Sequence, residues 1–126
     1  MILRNNLYRI TKAEDTTGGR LYTLELQPDC PIYAAHFPGM PVTPGVCLLL
    51  LGKELLEETL GKSLRLSEVK NAKFLSVVSP IHDKQIECLV GKTALAEDGK
   101  SVEAQVTLRT PQEAKAKMSF VCNIAQ

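Results

Sequence analysis

The sequence predicts an α+β domain in which a curved antiparallel sheet wraps around one central helix. Two observations carry this prediction. One stretch, 46–60, has the length and apolar content of a buried helix. Five or six other stretches have strand character, and the later ones are joined by short turns, which favour antiparallel neighbours. A sheet with one apolar face must cover it, and 46–60 is the one apolar helix the chain offers. At 126 residues the chain is long enough for a single domain, 1–126, with a buried core.

The elements follow in order. Residues 7–13 form a strand candidate. Thr16-Thr17-Gly18-Gly19 reads as a turn. In 21–27, Tyr22, Leu24 and Leu26 share one face and Thr23 and Glu25 the other, so the two strands are expected to pair as a hairpin. Pro28-Asp29-Cys30-Pro31 ends the strand, and Ile32-Tyr33-Ala34-Ala35 leads into a proline-rich loop. The helix follows. Its first half, with Val46 and Leu48 to Leu51, is apolar nearly all round, which predicts burial on most sides. Its second half sets Leu55, Leu56 and Leu60 against Glu54, Glu57 and Glu58, and Gly61 stands where a left-handed C-terminal residue is expected. The helix is therefore expected to be swallowed at its N-terminal end and to reach solvent at its C-terminal end.

Beyond it, 67–78 reads as one long strand, with a turn at Ser79-Pro80-Ile81-His82-Asp83. Residues 85–93 place Ile86, Cys88 and Val90 on one face. Glu97-Asp98-Gly99-Lys100 is a hairpin-type turn. Val102, Ala104, Val106 and Leu108 alternate with polar residues. After a turn at Thr110-Pro111-Gln112-Glu113, so do Ala116, Met118, Phe120 and Cys122, with Lys115 and Lys117 in the polar set.

Composition narrows the function. A net charge of +1 gives no electrostatic case for nucleic acid, and 5% aromatics without Trp give no stacking platform. Cys30, Cys47, Cys88 and Cys122 form no C-x-x-C pair and read as free, buried thiols of a reducing compartment. No metal and no cofactor are expected. The N-terminus lacks the pattern of a signal peptide. The longest apolar run, 46–51, is far shorter than the roughly 20 residues of a membrane span. A cytoplasmic protein without a membrane span is expected.

The chemistry concentrates in His36-Phe37-Pro38-Gly39-Met40-Pro41-Val42-Thr43-Pro44-Gly45-Val46. Three of the seven prolines and two of the eight glycines fall between residues 38 and 45. Proline fixes φ and removes a donor, so this is a stiff, extended path. It presents a histidine beside a helix N-terminus, whose unpaired N–H groups suit a carbonyl or an anion.

The motif His-Phe-Pro-Gly-x-Pro-x-x-Pro-Gly-Val resembles the signature of the 3-hydroxyacyl-[acyl-carrier-protein] dehydratases, and Lys73-Phe74 with Pro80 resembles that family's later strand and turn. The resemblance implies the hotdog fold, and an enzyme that eliminates water from a 3-hydroxyacyl chain on acyl carrier protein, in fatty-acid or polyketide-type synthesis. It implies that His36 takes the α-proton, that the Gly45 N–H holds the thioester carbonyl, and that Phe37, Val46 and Leu50 line the substrate. It also implies a homodimer or higher oligomer. In the family, an Asp or Glu on the central helix, fourteen residues after the histidine and supplied by the other protomer, gives the leaving hydroxyl its proton. Here that position is Leu50, which can neither give nor take one.

Leu50 leaves three readings open. Glu54, one helical turn beyond Leu50, is either a displaced acid or the start of the solvated face with Glu57 and Glu58; its roughly 6 Å rise favours the solvated face. The second reading is a catalytically incomplete subunit that pairs with a complete dehydratase. A hotdog acyl thioesterase is the remaining alternative, against which the proline-rich motif speaks. His82-Asp83 is read as a surface turn rather than a catalytic pair, and Cys47 as an inert buried thiol.

Overall fold

The computed structural model of the protein describes residues 3–36 and 39–125, excepting the side chain of His36. Strands β1 (Tyr8–Thr16) and β2 (Gly19–Leu26) form the expected hairpin. A short helix, α1 (Pro31–His36), precedes the long helix α2 (Gly45–Leu60). Then come β3 (Leu64–Phe74), β4 (Gln85–Leu95), β5 (Ser101–Arg109) and β6 (Ala114–Ile124). The six strands make one sheet in the order β1-β2-β4-β5-β6-β3, antiparallel throughout. Register shifts interrupt β1–β2, β4–β5 and β3–β6. Such irregularities bend the bulged strand and add twist, which lets a sheet curl around a helix.

The core lies between the inner sheet face and α2. Leu51, Leu55 and Leu56 of the helix are fully buried, and meet a sheet face that includes Leu24, Ile86, Val106, Leu108 and Phe120. Alternation along the strands dictates this: in β5, Val102, Ala104, Val106 and Leu108 are buried while Gln105 is exposed. The helix ends as expected, with Gly61 at φ 65° and its N–H donating to the Glu57 carbonyl.

Four expectations are corrected. Residues 32–35 are helical rather than a lead-in, because Tyr33 turns inward and is buried. The third strand stops at Phe74, and 75–78 leave the sheet, Val78 turning into the core while Leu75 and Val77 stay exposed. The first half of α2 is buried on one side, at Cys47, Leu48 and Leu51, rather than on most sides, while Glu58 near the C-terminal end reaches solvent as expected. Val46 is 62% exposed and Leu49 and Leu50 are half-buried, whereas Leu55 and Leu56 are inaccessible. One sheet covers one side of the helix, so the all-apolar first half keeps an uncovered face. Lys115, expected on the polar face of its strand, is buried.

Candidate active site

Thr43, between the last two prolines of the motif, is held from two sides. The Thr43 N–H donates to the Val78 carbonyl at 2.8 Å. Its hydroxyl pairs with that of buried Tyr33 at 2.8 Å. Tyr33 belongs to α1, whose last residue is His36, so this pair closes the loop between the histidine and α2. Neither Tyr33 nor Thr43 was singled out from sequence. The only signal was a polar residue between two prolines, and its partner is ten residues away. The side chain of His36, and all of Phe37, lie outside the described residues.

Helix α2 begins without a side-chain cap. The Pro44 carbonyl takes the N–H groups of Cys47 (3.0 Å) and Leu48 (3.2 Å). Among the described residues no acceptor meets the Gly45 N–H, which is the state of a first-turn donor without a cap. Gly45 borders a largely apolar cleft of about 380 Å³ between Val42, Thr43 and Leu48 on one side and Phe74, Leu75 and Val77 on the other. The Phe74 ring lies over Gly45. A Cβ built there would stand 3.0 Å from its Cζ and 3.2 Å from its Cε2, so glycine is what lets the ring approach. Val46 and Leu50, one turn apart, lie on the uncovered helix face.

Glu54 is not on the solvated face, which corrects that expectation. It is only 9% exposed. Oε2 accepts the Leu3 N–H at 2.9 Å, and Oε1 accepts the Arg4 N–H at 3.0 Å and the Tyr8 hydroxyl at 2.9 Å. Burial, then the Glu54 hydrogen bond and charge, push the Tyr8 phenol far above its ordinary value, so it stays a donor. The carboxylate lines a separate hollow with Arg4, Glu57 and Glu58 rather than the cleft at Gly45. Within one chain, Glu54 and Gly45 are not brought together. The N-terminal turn that claims Glu54 carries no periodicity that betrays a distant partner.

His82 is exposed and Asp83 turns inward to Lys115 at 3.2 Å, so the two residues do not act as a pair. All four cysteines are free and buried. Burial pushes the Cys88 thiol far up and that of Cys122 up to about 11; burial, then nearby Cys30, raises Cys47. These are unreactive thiols. No group of residues able to hold a metal occurs among the described residues, and no described helix is long and apolar enough to cross a membrane.

One curved six-stranded sheet around a central helix, with a glycine-led apolar cleft at the helix start, defines the hotdog class. Residues 11–104 match the sequence model of the ApeI-like family, described as ApeI dehydratase. The chain is 30% identical over 124 residues to the 3-hydroxyacyl-[acyl-carrier-protein] dehydratase FabZ of Clostridium acetobutylicum, covering 85% of each. It is 39% identical over 59 residues to the enzyme of the same name from Caulobacter sp. (strain K31), a match spanning 40% of this chain and 36% of that relative. Among solved structures it resembles the dehydratase heterocomplex ApeI:P from Xenorhabdus doucetiae, with TM-score 0.68, 15% identity and coverage of 92% and 97%. It also resembles the putative thioesterase yhdA from Lactococcus lactis, with TM-score 0.66, 11% identity and coverage of 99% and 98%. The chain belongs to the ApeI-like dehydratase family and has the hotdog fold.

Proposed function

We propose that the protein acts on a 3-hydroxyacyl thioester carried on acyl carrier protein and eliminates water to leave a trans-2-enoyl thioester. The observation that carries this is the uncapped start of α2: the Gly45 N–H, without an acceptor among the described residues, borders an apolar cleft next to the loop that begins at His36. The thioester carbonyl accepts from Gly45, and the acyl chain lies along Leu48 and Val77. His36 takes the α-proton. As the Cα–H bond breaks, its electron pair forms the double bond and the Cβ–O bond breaks. Charge that builds on the carbonyl oxygen during this step is stabilised by a donor already in place. The hydroxyl leaves as water only if it receives a proton.

Leu50 does not supply that proton. It lies with Val46 on the helix face that the chain's own sheet leaves uncovered. We assign that face to a second chain. In a homodimer both sites meet a leucine, and elimination is slow. Paired with a related dehydratase that keeps a carboxylate at this position, the site containing His36 is complete. The Xenorhabdus doucetiae neighbour, itself a dehydratase heterocomplex, supports this form of pairing. Glu54 serves as a clasp for the N-terminal turn.

The test follows enoyl formation and thiol release separately, with 3-hydroxyacyl and saturated acyl thioesters on carrier protein. It is run with the protein alone and mixed with an acid-bearing dehydratase whose own histidine has been replaced. Weak enoyl formation alone and a large increase on mixing are expected. Thiol release from saturated chains without enoyl formation establishes the thioesterase instead.

A further inference from the structure

Lys115 is a lysine out of place in its strand. By alternation it belongs with exposed Lys117, yet its side chain is only 7% exposed. The cause is the segment 75–83, which leaves the sheet after Phe74 and is gathered around this one residue. The Lys115 carbonyl accepts the N–H groups of Leu75 (2.8 Å) and Ser76 (3.2 Å). Its ammonium donates to Glu113 Oε1 at 2.9 Å and to the Val77 carbonyl at 3.1 Å. It lies 3.2 Å from Asp83 Oδ1 and 3.4 Å from the Ser76 hydroxyl. Three N–H groups face four acceptors, so none is idle. Asp83 in turn closes the far end of the segment. Its Oδ2 accepts the Ser79 N–H at 3.1 Å, and its own N–H donates to the Ser79 carbonyl at 2.7 Å. Burial alone pushes the Lys115 ammonium down, but its hydrogen bonds to Glu113 and Asp83 outweigh this and hold it above its ordinary value.

This segment is a wall of the cleft. Leu75, Ser76, Val77 and Val78 face Val42, Thr43 and Leu48 across it. Val78 also holds the motif loop, since its carbonyl takes the Thr43 N–H and Thr43 holds Tyr33 of α1. A continuous set of contacts therefore runs from Lys115 through 75–83 to the loop between His36 and Gly45. The structure assigns Lys115 as a positioning residue: it touches no reacting atom, and through the 75–83 segment it sets the width of the cleft and the placement of the motif loop. The consequence for turnover rests on the dehydratase reading; the mechanical coupling does not.

Removing the ammonium leaves the Asp83 carboxylate, 12% exposed, and the Val77 carbonyl without their cation. Such a loss is costly where it occurs. It stays local if 75–83 opens separately from the core. Three variants decide the matter: Lys115→Met, which keeps the length without the charge; Lys115→Arg, which restores the charge; and Asp83→Asn, which keeps the shape. Hydrogen exchange is read at the amides of Leu75, Ser76 and Thr43, with the β4–β5 amides as internal reference. In Lys115→Met these three amides exchange about tenfold faster or more while the reference changes little, as expected of local opening, and Lys115→Arg recovers most of the protection. The ratio of kcat/KM for short and long 3-hydroxyacyl thioesters shifts by about fivefold or more in Lys115→Met, because chain length is read by the wall that moves. Uniform acceleration of every amide with an unchanged ratio overturns the proposal. If Lys115→Met does not fold, Asp83→Asn decides: faster exchange at Thr43 sustains the proposal, and wild-type exchange overturns it. If the wild type turns over no 3-hydroxyacyl thioester even when mixed with the acid-bearing dehydratase, the dehydratase reading fails, and the exchange measurements still decide the coupling.

Discussion

At the scale of single residues, two positions on α2 depart from what the resemblance to the dehydratases implies. Leu50 stands where that resemblance puts the acid and is apolar; Glu54, one turn on, is acidic and committed elsewhere. General acid catalysis is worth about 10²–10⁴-fold. The Leu50→Glu homodimer should therefore gain about 10²-fold in enoyl formation, measured as kcat/KM. An unpaired carboxyl in an apolar setting favours its neutral form, which is the form an acid catalyst uses, although it also weakens the fold. A folded, substrate-binding Leu50→Glu protein without gain refutes the missing-acid account. Glu54 calls for the opposite experiment. Its carboxylate satisfies the Leu3 and Arg4 N–H groups and the Tyr8 hydroxyl. Truncation leaves buried donors unpaired, at about 1–3 kcal/mol for each such group. Glu54→Ala should lose about 3 kcal/mol in urea denaturation, and Tyr8→Phe about 1 kcal/mol, which removes one bond and leaves no orphan donor. If Glu54→Ala keeps full stability and loses turnover instead, the clasp assignment is wrong.

At the scale of elements, the start of α2 answers to the residue that lies over it. Gly45→Ala improves helix propensity by up to about 1 kcal/mol. Its Cβ, however, meets the Phe74 ring at 3.0 Å. Phe74 is 49% exposed, so the ring has room to swing aside. The fold should survive with an unchanged melting temperature, while the ring is displaced at the cleft and the KM for acyl thioesters rises about tenfold, a change of ~1.4 kcal/mol in binding. An unaltered KM would show that the cleft at Gly45 does not take the substrate. The same elements show what the sequence makes legible. The β5 and β6 alternation, the β1–β2 hairpin, the central helix and the Gly61 stop all depend on neighbours within a few residues, and local pattern encodes them. The irregular path 41–44 into α2 was legible for the same reason, whereas His36 ends α1 rather than opening an extended loop. Other features were not, because each depends on a partner far along the chain. Tyr33 turns inward toward Thr43, Glu54 is claimed by the turn at Leu3, and Lys115 is covered by 75–83. Periodicity assigns a lysine or glutamate to solvent unless such a partner is known. The sheet exit after Phe74 was hidden similarly, since Leu75 and Val77 continue an apolar pattern that the backbone does not follow.

At the scale of the molecule, the exposed apolar side chains belong mainly to the segments that border the cleft. Met40, Val46, Phe74, Leu75, Val77 and Ile81 are between 49% and 75% exposed. Val46 continues along α2 into half-buried Leu49 and Leu50. Beside them runs β3, an edge strand of the sheet, with Val69 41% exposed. Exposed apolar side chains gathered on the segments around one cleft mark an interaction face, and an edge strand keeps backbone groups with which a second chain can pair. The first half of α2 makes the same point, being apolar all round although its own sheet covers one side of it. A two-chain particle is thus expected in solution, with twice the 13.8 kDa mass of the chain at micromolar concentration in sedimentation equilibrium. Val46→Lys combined with Val77→Lys should shift that particle toward single chains. Both positions are exposed, so circular dichroism should remain that of the folded protein while the mass falls. An acid-bearing dehydratase added to the wild type should form a mixed dimer, and the double variant should form less of it. A wild type that sediments as one chain at every micromolar concentration, with the apolar face still open, removes the basis for completing the His36 site across an interface.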